Sequence, residues 1–253
     1  MNFKDILNFP SNNYDVLFGH IDNVVEKVNL KEYPSLIITG STGTSKSVML
    51  HQILLQLINK NTPEELKIIT INPTKVELKQ YRDSLYSYHK DIKMNIDSVD
   101  LLVNILKERI NLFSEYNVSN FDEYNALDYK SLPIIVVAVD EASELLDDPN
   151  SEEKVKWIID NCKKIGVIFI MTTSNIYNKF FTMGYNTIAC IRISFDFVNS
   201  EDAKMTNLAN CDKLKLDEFL IEVNHLYTQK KCNTFYFEDN IIEEVINKKS
   251  AIH

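Results

Sequence analysis

The segment that most constrains the fold of this 253-residue chain is a short loop between a predicted strand and a predicted helix. Residues 36–39 are apolar, residues 46–57 carry apolar side chains at helical spacing, and residues 40–47 read Gly-Ser-Thr-Gly-Thr-Ser-Lys-Ser. A strand, such a loop and a helix in this order are typical of a P-loop, whose backbone N–H groups and helix N-terminus bind phosphate oxygens. An ordinary helix start capped by Ser and Thr is the plainer alternative.

The P-loop pattern assigns a chemical role to individual residues. Lys46 would reach the β- and γ-phosphates of a nucleotide, and the Ser47 hydroxyl would bind Mg²⁺. Backbone that approaches phosphate favours glycine, and two of the five glycines in the chain, Gly40 and Gly43, stand in this loop. The predicted nucleotide-binding residues are Gly40, Ser41, Thr42, Gly43, Thr44, Ser45, Lys46, Ser47 and Val48.

One position departs from the P-loop pattern, because Ser45 stands where a second glycine normally precedes the lysine. If the backbone there needs a positive φ, serine destabilises the loop by about 1 kcal/mol or somewhat more. If the position needs only a small side chain, serine fits. Replicative minichromosome-maintenance helicases carry a small residue other than glycine at this position, and that resemblance implies that nucleotide binding survives the replacement.

A second candidate element is the acidic pair Asp140-Glu141, which ends the β-branched run at residues 132–139. That run lacks alternation and predicts a central strand buried on both faces. Asp140 would hold Mg²⁺ through water, and Glu141 would orient and deprotonate the attacking water. Acidic pairs also cap helices, but a P-loop upstream makes this pair a specific signal. The predicted catalytic residues are Glu141, Lys46 and Asp140, and the predicted metal ligands are Ser47 and Asp140.

Apolar runs alternate with helical patterns along the chain, which predicts an α/β fold with a mostly parallel sheet flanked by helices. The predicted strands are residues 36–39, 66–71, 132–139, 167–171, 187–195, 219–227 and 234–237. The predicted helices are residues 46–57, 76–85, 99–116 and 151–164. No linker or repeat divides the chain, so we expect one domain over 1–253, with a lead-in at 1–30 and a core at 31–253 that ends in a hairpin and a helix.

The overall charge limits the way in which this chain can bind nucleic acid. The formal net charge is −9 and the isoelectric point is about 5.1, whereas a domain that wraps its surface in phosphate is normally basic. Any contact with nucleic acid is therefore expected to be local, through a few loops or through a ring that several subunits assemble.

Cysteine spacing and hydropathy point to a reduced, cytoplasmic protein. Cys162, Cys190, Cys211 and Cys232 form no CxxC pair, so neither a zinc knuckle nor a disulfide framework is predicted, and no metal is implied beyond a nucleotide-bound Mg²⁺. No apolar stretch approaches the ~18 residues needed to span a bilayer, and the N-terminus lacks the apolar core of a signal peptide. A role at a membrane would need a partner.

Several further segments resemble the motor domain of FtsK/SpoIIIE-type DNA translocases, and they occur in the family's order. Residues 72–81 (NPTKVELKQY) resemble the family's Asp-Pro-Lys-x-x-Glu-Leu-x-x-Tyr, and residues 132–145 (LPIIVVAVDEASEL) resemble its strand and acidic pair. The other similar segments are residues 34–40, 108–113, 118–125, 192–195 and the late hairpin with residues 238–245.

The resemblance implies a RecA-like P-loop NTPase with ATP and Mg²⁺ as cofactors. It also implies a homo-oligomeric ring, a hexamer, that hydrolyses ATP to translocate double-stranded DNA for a plasmid, phage or conjugative element, with a membrane or transfer-machinery partner. Residues 75–79 and 176–184 are candidate pore segments. A neighbour's cation would complete the active site; the candidates are Arg192, Arg109 and Lys204, although buried structural pairing is an equal alternative for each Arg.

Departures from the family pattern keep two other functions open. The family's Thr-Gln-Arg-Pro is replaced from Thr173 by Thr-Ser-Asn-Ile, so Ser174 and Asn175 remove the glutamine that senses the γ-phosphate. Asn72 and Thr74 replace the family's Asp and Lys, and Ala-Lys at 203–204 replaces its Ser-Arg. These changes leave nucleotide binding plausible and predict reduced hydrolysis. The alternatives are an FtsK-like secretion ATPase that moves protein substrates and a slow nucleotide-binding adaptor with a degenerate site.

Overall fold

The computed structural model describes most of the chain and places its strands in one sheet. The described residues are 1–71, 78–82, 84, 86–88, 98–128, 131–197, 200–223, 228–238 and 240–251. The strands are β1 Asp15–Ile21, β2 Val24–Asn29, β3 Ser35–Thr39, β4 Leu66–Ile71, β5 Ile134–Val139, β6 Val167–Thr173, β7 Ile191–Ser194, β8 Glu218–Val223 and β9 Lys230–Asn233. Their order across the sheet is β2-β1-β9-β8-β7-β3-β6-β5-β4.

Helices pack against this sheet, and short 3₁₀ turns at Tyr185–Ile188 and Cys211–Lys213 complete the described elements. The helices are α1 Phe3–Leu7, α2 Lys46–Lys60, α3 Lys79–Arg82, α4 Ser98–Glu115, α5 Phe121–Asn125, α6 Ser143–Asp147, α7 Pro149–Ile165, α8 Lys179–Thr182, α9 Ser200–Met205 and α10 Ile241–Ser250. Helix α7, predicted over 151–164, ends at Gly166 in the left-handed conformation, with φ 68°, which is typical of a glycine that caps a helix C-terminus.

The parallel half of the sheet determines where polar side chains can meet. Strands β4, β5, β6, β3 and β7 are neighbours in that order and all run parallel. Strands β3, β5 and β6 are buried along their whole length, as their unbroken apolar runs predict for strands covered on both faces. Because parallel strands end at the same edge, the residues that follow β3, β5 and β6 lie together.

The antiparallel half contains elements that the sequence pattern does not reveal. The N-terminal residues form β1 and β2 of the same sheet instead of only a lead-in, and β1 pairs with β9. The strand predicted over 234–237 is wrong, because β9 occupies Lys230–Asn233 and pairs antiparallel with β8. Strand β9 has one buried side chain, Cys232, so its strand character comes from backbone pairing. The strand predicted over 187–195 is shorter, because residues 185–188 form a 3₁₀ turn.

Some predictions fall on residues outside the described ranges. Asn72, Thr74, residues 75–77 of the first pore segment and the start of the helix predicted over 76–85 are among them. The described part of that helix is α3. The last four residues of the strand predicted over 219–227 also lie outside the described residues.

Polar side chains on α2 form hydrogen bonds with backbone groups near both ends of the chain. The buried Gln56 side chain bonds both backbone groups of Leu17 in β1, each at 2.9 Å. Its neighbour one turn earlier, Gln52, donates to the carbonyl of Phe235 at 3.1 Å. Buried backbone groups need such partners, so α2 stabilises the antiparallel half as well as the parallel half.

Two further observations concern the predicted cellular setting. Among the described residues, none of the helices combines the length and the apolar character of a membrane span. The four cysteines are free thiols, and three of them are buried.

A buried histidine lies on α2 in the middle of this packing. The Nδ1 atom of His51 is 3.0 Å from the Tyr81 hydroxyl, and the two rings stack with centroids 5.6 Å apart. Burial lowers the pKa of His51 from 6.5 to about 4, although the nearby Asp140 carboxylate favours the charged form. The folded chain therefore holds this ring neutral at neutral pH.

We predict that the free energy of unfolding falls as the pH is lowered from 6.5 to 4. Over that interval the unfolded chain binds a proton at His51 that the folded chain excludes, and the loss reaches about 3 kcal/mol near pH 4. Urea denaturation near pH 7 and near pH 4 measures this loss. The comparison is His51→Gln, which does not titrate and keeps a polar group for Tyr81. Equal pH dependence in both proteins would contradict the assignment.

Candidate nucleotide-binding site

The predicted P-loop connects the end of β3 to the start of α2, and its backbone requires two glycines. Gly40 has φ 151°, and a Cβ there would come within 2.8 Å of the Cβ of Phe195. Gly43 has φ 87° and open space around it, so its conformation alone favours glycine. The N–H of Ser41 donates to the carbonyl of Asp196 at 2.9 Å, which joins the loop to the residues that follow β7.

The position before the loop lysine, which normally carries glycine, needs none here. Ser45 is the N-cap of α2, with φ −75° and ψ 26°, a backbone conformation open to any residue. The strain of about 1 kcal/mol expected for a serine at positive φ therefore does not arise. Serine fits this position because its backbone angles do not need glycine.

The side chain of the loop lysine, Lys46, folds back onto the backbone of the loop. Lys46 is buried, with 6% of its surface exposed, and its Nζ donates to the carbonyl of Ser41 at 2.8 Å. The Thr44 hydroxyl donates to the same carbonyl at 2.9 Å. A buried ammonium group beside the N-terminus of a fifteen-residue helix makes this end of α2 electropositive, which suits a phosphate.

The first turn of α2 contacts the end of β5 through two oxygen ligands. The Ser47 hydroxyl lies 3.2 and 3.3 Å from the two carboxylate oxygens of Asp140. Asp140 is buried, and the Thr172 hydroxyl donates to it at 2.7 Å. A hydroxyl and a carboxylate are the hard oxygen donors that Mg²⁺ prefers. The two residues therefore fit a nucleotide-bound Mg²⁺.

The side chain of Glu141, the second acidic residue, contacts the end of β6. The carboxylate of Glu141 accepts hydrogen bonds from the Ser143 hydroxyl, from the Thr173 hydroxyl at 3.1 Å, and from the Ser174 hydroxyl at 2.7 Å. It also accepts the Ser174 N–H, 3.1 Å from both oxygens. Burial on its own would raise the pKa of Glu141, but the hydrogen bonds from Ser143, Ser174 and Thr173 outweigh it and lower the pKa. Glu141 is therefore ionised at neutral pH.

Three polar residues at this edge are not among the site residues that the sequence predicts. Thr172 bonds Asp140 and also accepts the N–H of Glu141 at 2.9 Å, while Thr173 and Ser143 bond the Glu141 carboxylate. The signal that could have revealed the first two is a Thr-Thr pair that ends the strand after the acidic pair. Because β5 and β6 are parallel neighbours, such residues lie beside that pair.

The three candidates for a neighbour's cation differ in their surroundings. Arg192 forms a buried ion pair with Glu222 at 2.5 Å. The Arg109 guanidinium is buried and donates to the carbonyl of Ile165 at 3.0 Å. Both arginines are therefore paired within this chain, as the alternative interpretation of each states. Lys204, on α9, is exposed.

The second candidate pore segment, residues 176–184, starts at the same edge of the sheet. It follows β6 and includes α8, with Phe180 and Phe181 buried. Tyr177 and Met183 are exposed, at 61% and 58% of their surface. The segment therefore presents two large exposed side chains shortly after the strand whose end contacts Glu141.

Comparison of the sequence with known protein families identifies a match. A model of the FtsK/SpoIIIE family matches residues 10–173. The DNA translocase FtsK of Clostridium tetani is 26% identical over 251 residues, which cover 86% of this chain and 34% of that protein. This chain therefore spans about a third of the length of that relative.

Solved structures show the same fold. EssC (ATPases 2 and 3) from Geobacillus thermodenitrificans superposes with a TM-score of 0.81 at 18% identity, over 96% of this chain and 50% of that one. The pCW3 conjugation coupling protein TcpA gives a TM-score of 0.73 at 20% identity, over 95% of this chain and 72% of that one. The predicted α/β P-loop NTPase fold is thus confirmed. Since the family model extends from β1 through the P-loop and the acidic pair to the end of β6, the chain belongs to the FtsK/SpoIIIE family of P-loop ATPases.

Proposed function

We propose that this chain binds and hydrolyses ATP as the motor domain of a homohexameric ring that translocates double-stranded DNA. The observation that supports the ATPase function is the meeting of Ser47, Asp140 and Glu141 at one sheet edge, beside the P-loop. The DNA substrate is supported by the sequence relative that is named a DNA translocase.

Different loop residues would contact different parts of the bound nucleotide. The backbone from Gly40 to Val48 would surround the phosphates, because the two positive-φ glycines turn the chain there and the N-terminus of α2 follows. Lys46 would turn from the Ser41 carbonyl to the phosphate oxygens, where its charge is better compensated. Ser47 and Asp140 would hold Mg²⁺. When bound, the ion neutralises negative charge on the phosphates.

Glu141 is the residue suited to activate water. Its carboxylate is ionised because several hydrogen bonds favour the charged form, so it can accept a proton at neutral pH. It is adjacent to Asp140 in the chain, and that places it next to the proposed metal ligands. The catalytic residues in this proposal are Glu141, Lys46 and Asp140.

A ring reconciles DNA binding with a net charge of −9. Six copies of a short segment that carries lysine can line a pore while the outer surface stays acidic. Residues 176–184, with the exposed Lys179, are the proposed pore segment, and the exposed Lys204 is the proposed cation for a neighbour's site. The motor would act in the cytoplasm, where ATP is supplied, for a plasmid, phage or conjugative element and with a transfer-machinery partner.

The two alternative functions have weaker support. The secretion ATPase interpretation draws on structures such as EssC, at 18% identity, and likeness at that level bears on the fold. The adaptor interpretation rests on the Ser174 and Asn175 replacements, which affect hydrolysis more than binding. Ser45 adds no support to it, because its backbone angles are ordinary.

We predict that linear duplex DNA stimulates ATP hydrolysis by this protein and that Lys46→Ala and Glu141→Gln each reduce the turnover at least about 100-fold. Glu141→Gln should still bind ATP, since its phosphate-binding residues are intact, whereas Lys46→Ala should bind weakly. Lys163→Ala, at an exposed site on α7, is the matched control. Strong ATP binding without any response to duplex DNA would favour the adaptor or secretion function instead.

We also predict that Ser45→Gly changes the ATP dissociation constant less than about twofold, because Ser45 has no strain to relieve. Gly43→Ala should weaken ATP binding about fivefold or more, because a side chain disfavours the φ of 87° by about 1 kcal/mol, so the free loop leaves this conformation and ATP binding has to restore it. Isothermal titration with a slowly hydrolysed ATP analogue measures both. A tenfold gain in affinity for Ser45→Gly would show that glycine is needed there after all.

A further inference from the structure

In this conformation both oxygens of the Glu141 carboxylate are engaged by hydrogen-bond donors, so a water molecule has to displace a donor before Glu141 can accept its proton. Oε1 accepts from the hydroxyls of Ser143 and Thr173 and from the N–H of Ser174, and Oε2 accepts from the N–H and the hydroxyl of Ser174. A carboxylate offers about four lone-pair sites. Four donor groups make these contacts, because the N–H of Ser174 is shared between the two oxygens. Both oxygens are therefore engaged, whereas a general base needs at least one oxygen directed to water.

The backbone at this residue is also unusual. Glu141 has φ 58°, a left-handed conformation that is uncommon for a residue other than glycine. Its N–H donates to the Thr172 hydroxyl at 2.9 Å. Non-glycine residues adopt such a conformation when their surroundings hold them there, and here β6 supplies the holding groups.

We infer that Ser174 is a positioning residue that holds Glu141 in a resting conformation, and that release of this contact must precede hydrolysis. The inference rests on the proposed ATPase function. Ser174 supplies two of the four donor groups, and it is the residue that replaces the family's glutamine. Its contribution is a restraint on the base rather than contact with the nucleotide.

The position of Ser174 also indicates what would release the restraint. It lies two residues before the proposed pore segment, whose exposed Tyr177 bonds the Asp202 side chain on α9. A displacement of that segment by bound duplex DNA would pull Ser174 away from Glu141. Low basal hydrolysis and its stimulation by DNA would then have the same physical cause.

Steady-state ATP hydrolysis by Ser174→Ala tests the inference. We expect the basal kcat to rise about tenfold, equivalent to about 1.4 kcal/mol, with KM for ATP within twofold of the wild type and with a smaller stimulation by duplex DNA. Ser143→Ala should act in the same direction. Ser174→Thr, which keeps the hydroxyl, should restore wild-type values, and Ser114→Ala on the exposed face of α4 is the matched control.

The outcomes separate this inference from the proposed function. If Lys46→Ala abolishes hydrolysis while Ser174→Ala leaves the basal kcat unchanged or lowers it, the inference is wrong and the ATPase function stands. If neither the wild type nor any variant hydrolyses ATP, both are wrong.

Amide hydrogen exchange without nucleotide gives a second readout that is independent of activity. The N–H of Ser174 donates to Glu141, so we expect it to exchange slowly in the wild type. It should exchange faster in Ser143→Ala, where the carboxylate has lost one of its holding groups. Equal exchange in the two proteins would count against the restraint.

Discussion

The contact between Ser47 and Asp140 is the interaction on which the rest of the site depends. It joins the first turn of α2 to the end of β5, with hydroxyl-to-carboxylate distances of 3.2 and 3.3 Å. It can form only because β3 and β5 both flank β6 and all three run parallel. Their ends therefore meet at one edge. The same order of strands places Thr172 against Asp140, and Thr173 and Ser174 against Glu141.

Helix α2 connects the nucleotide site to the rest of the molecule. Its N-terminus carries the loop lysine and serine, its middle contains the buried His51, and its second half bonds the backbone of β1 through Gln56. Gln52 also donates to the carbonyl of Phe235. Residues near both ends of the chain are therefore attached to the helix that begins at the phosphate-binding loop. A movement of α2 would be transmitted to the antiparallel half of the sheet through buried hydrogen bonds.

The sequence predicts the strands of the parallel half, because buried parallel strands are unbroken apolar runs, and the fixed P-loop spacing identifies the loop between β3 and α2. The roles of Asp140 and Glu141 stay predictions. It does not predict β9, whose strand character comes from backbone pairing around a single buried Cys232. It also leaves Ser45 undecided, since composition says nothing about φ. The hold on Glu141 depends on which strand neighbours β5, and that is a property of the sheet order rather than of any local segment.

The central claim is that ATP turnover at this edge moves duplex DNA. Displacement of a third strand from a linear duplex that carries a short triplex measures such movement directly. We predict displacement by the wild type with ATP, and none with a non-hydrolysable ATP analogue or with Glu141→Gln. Hydrolysis that proceeds at the same rate with and without duplex DNA, and leaves the third strand bound, would contradict the claim.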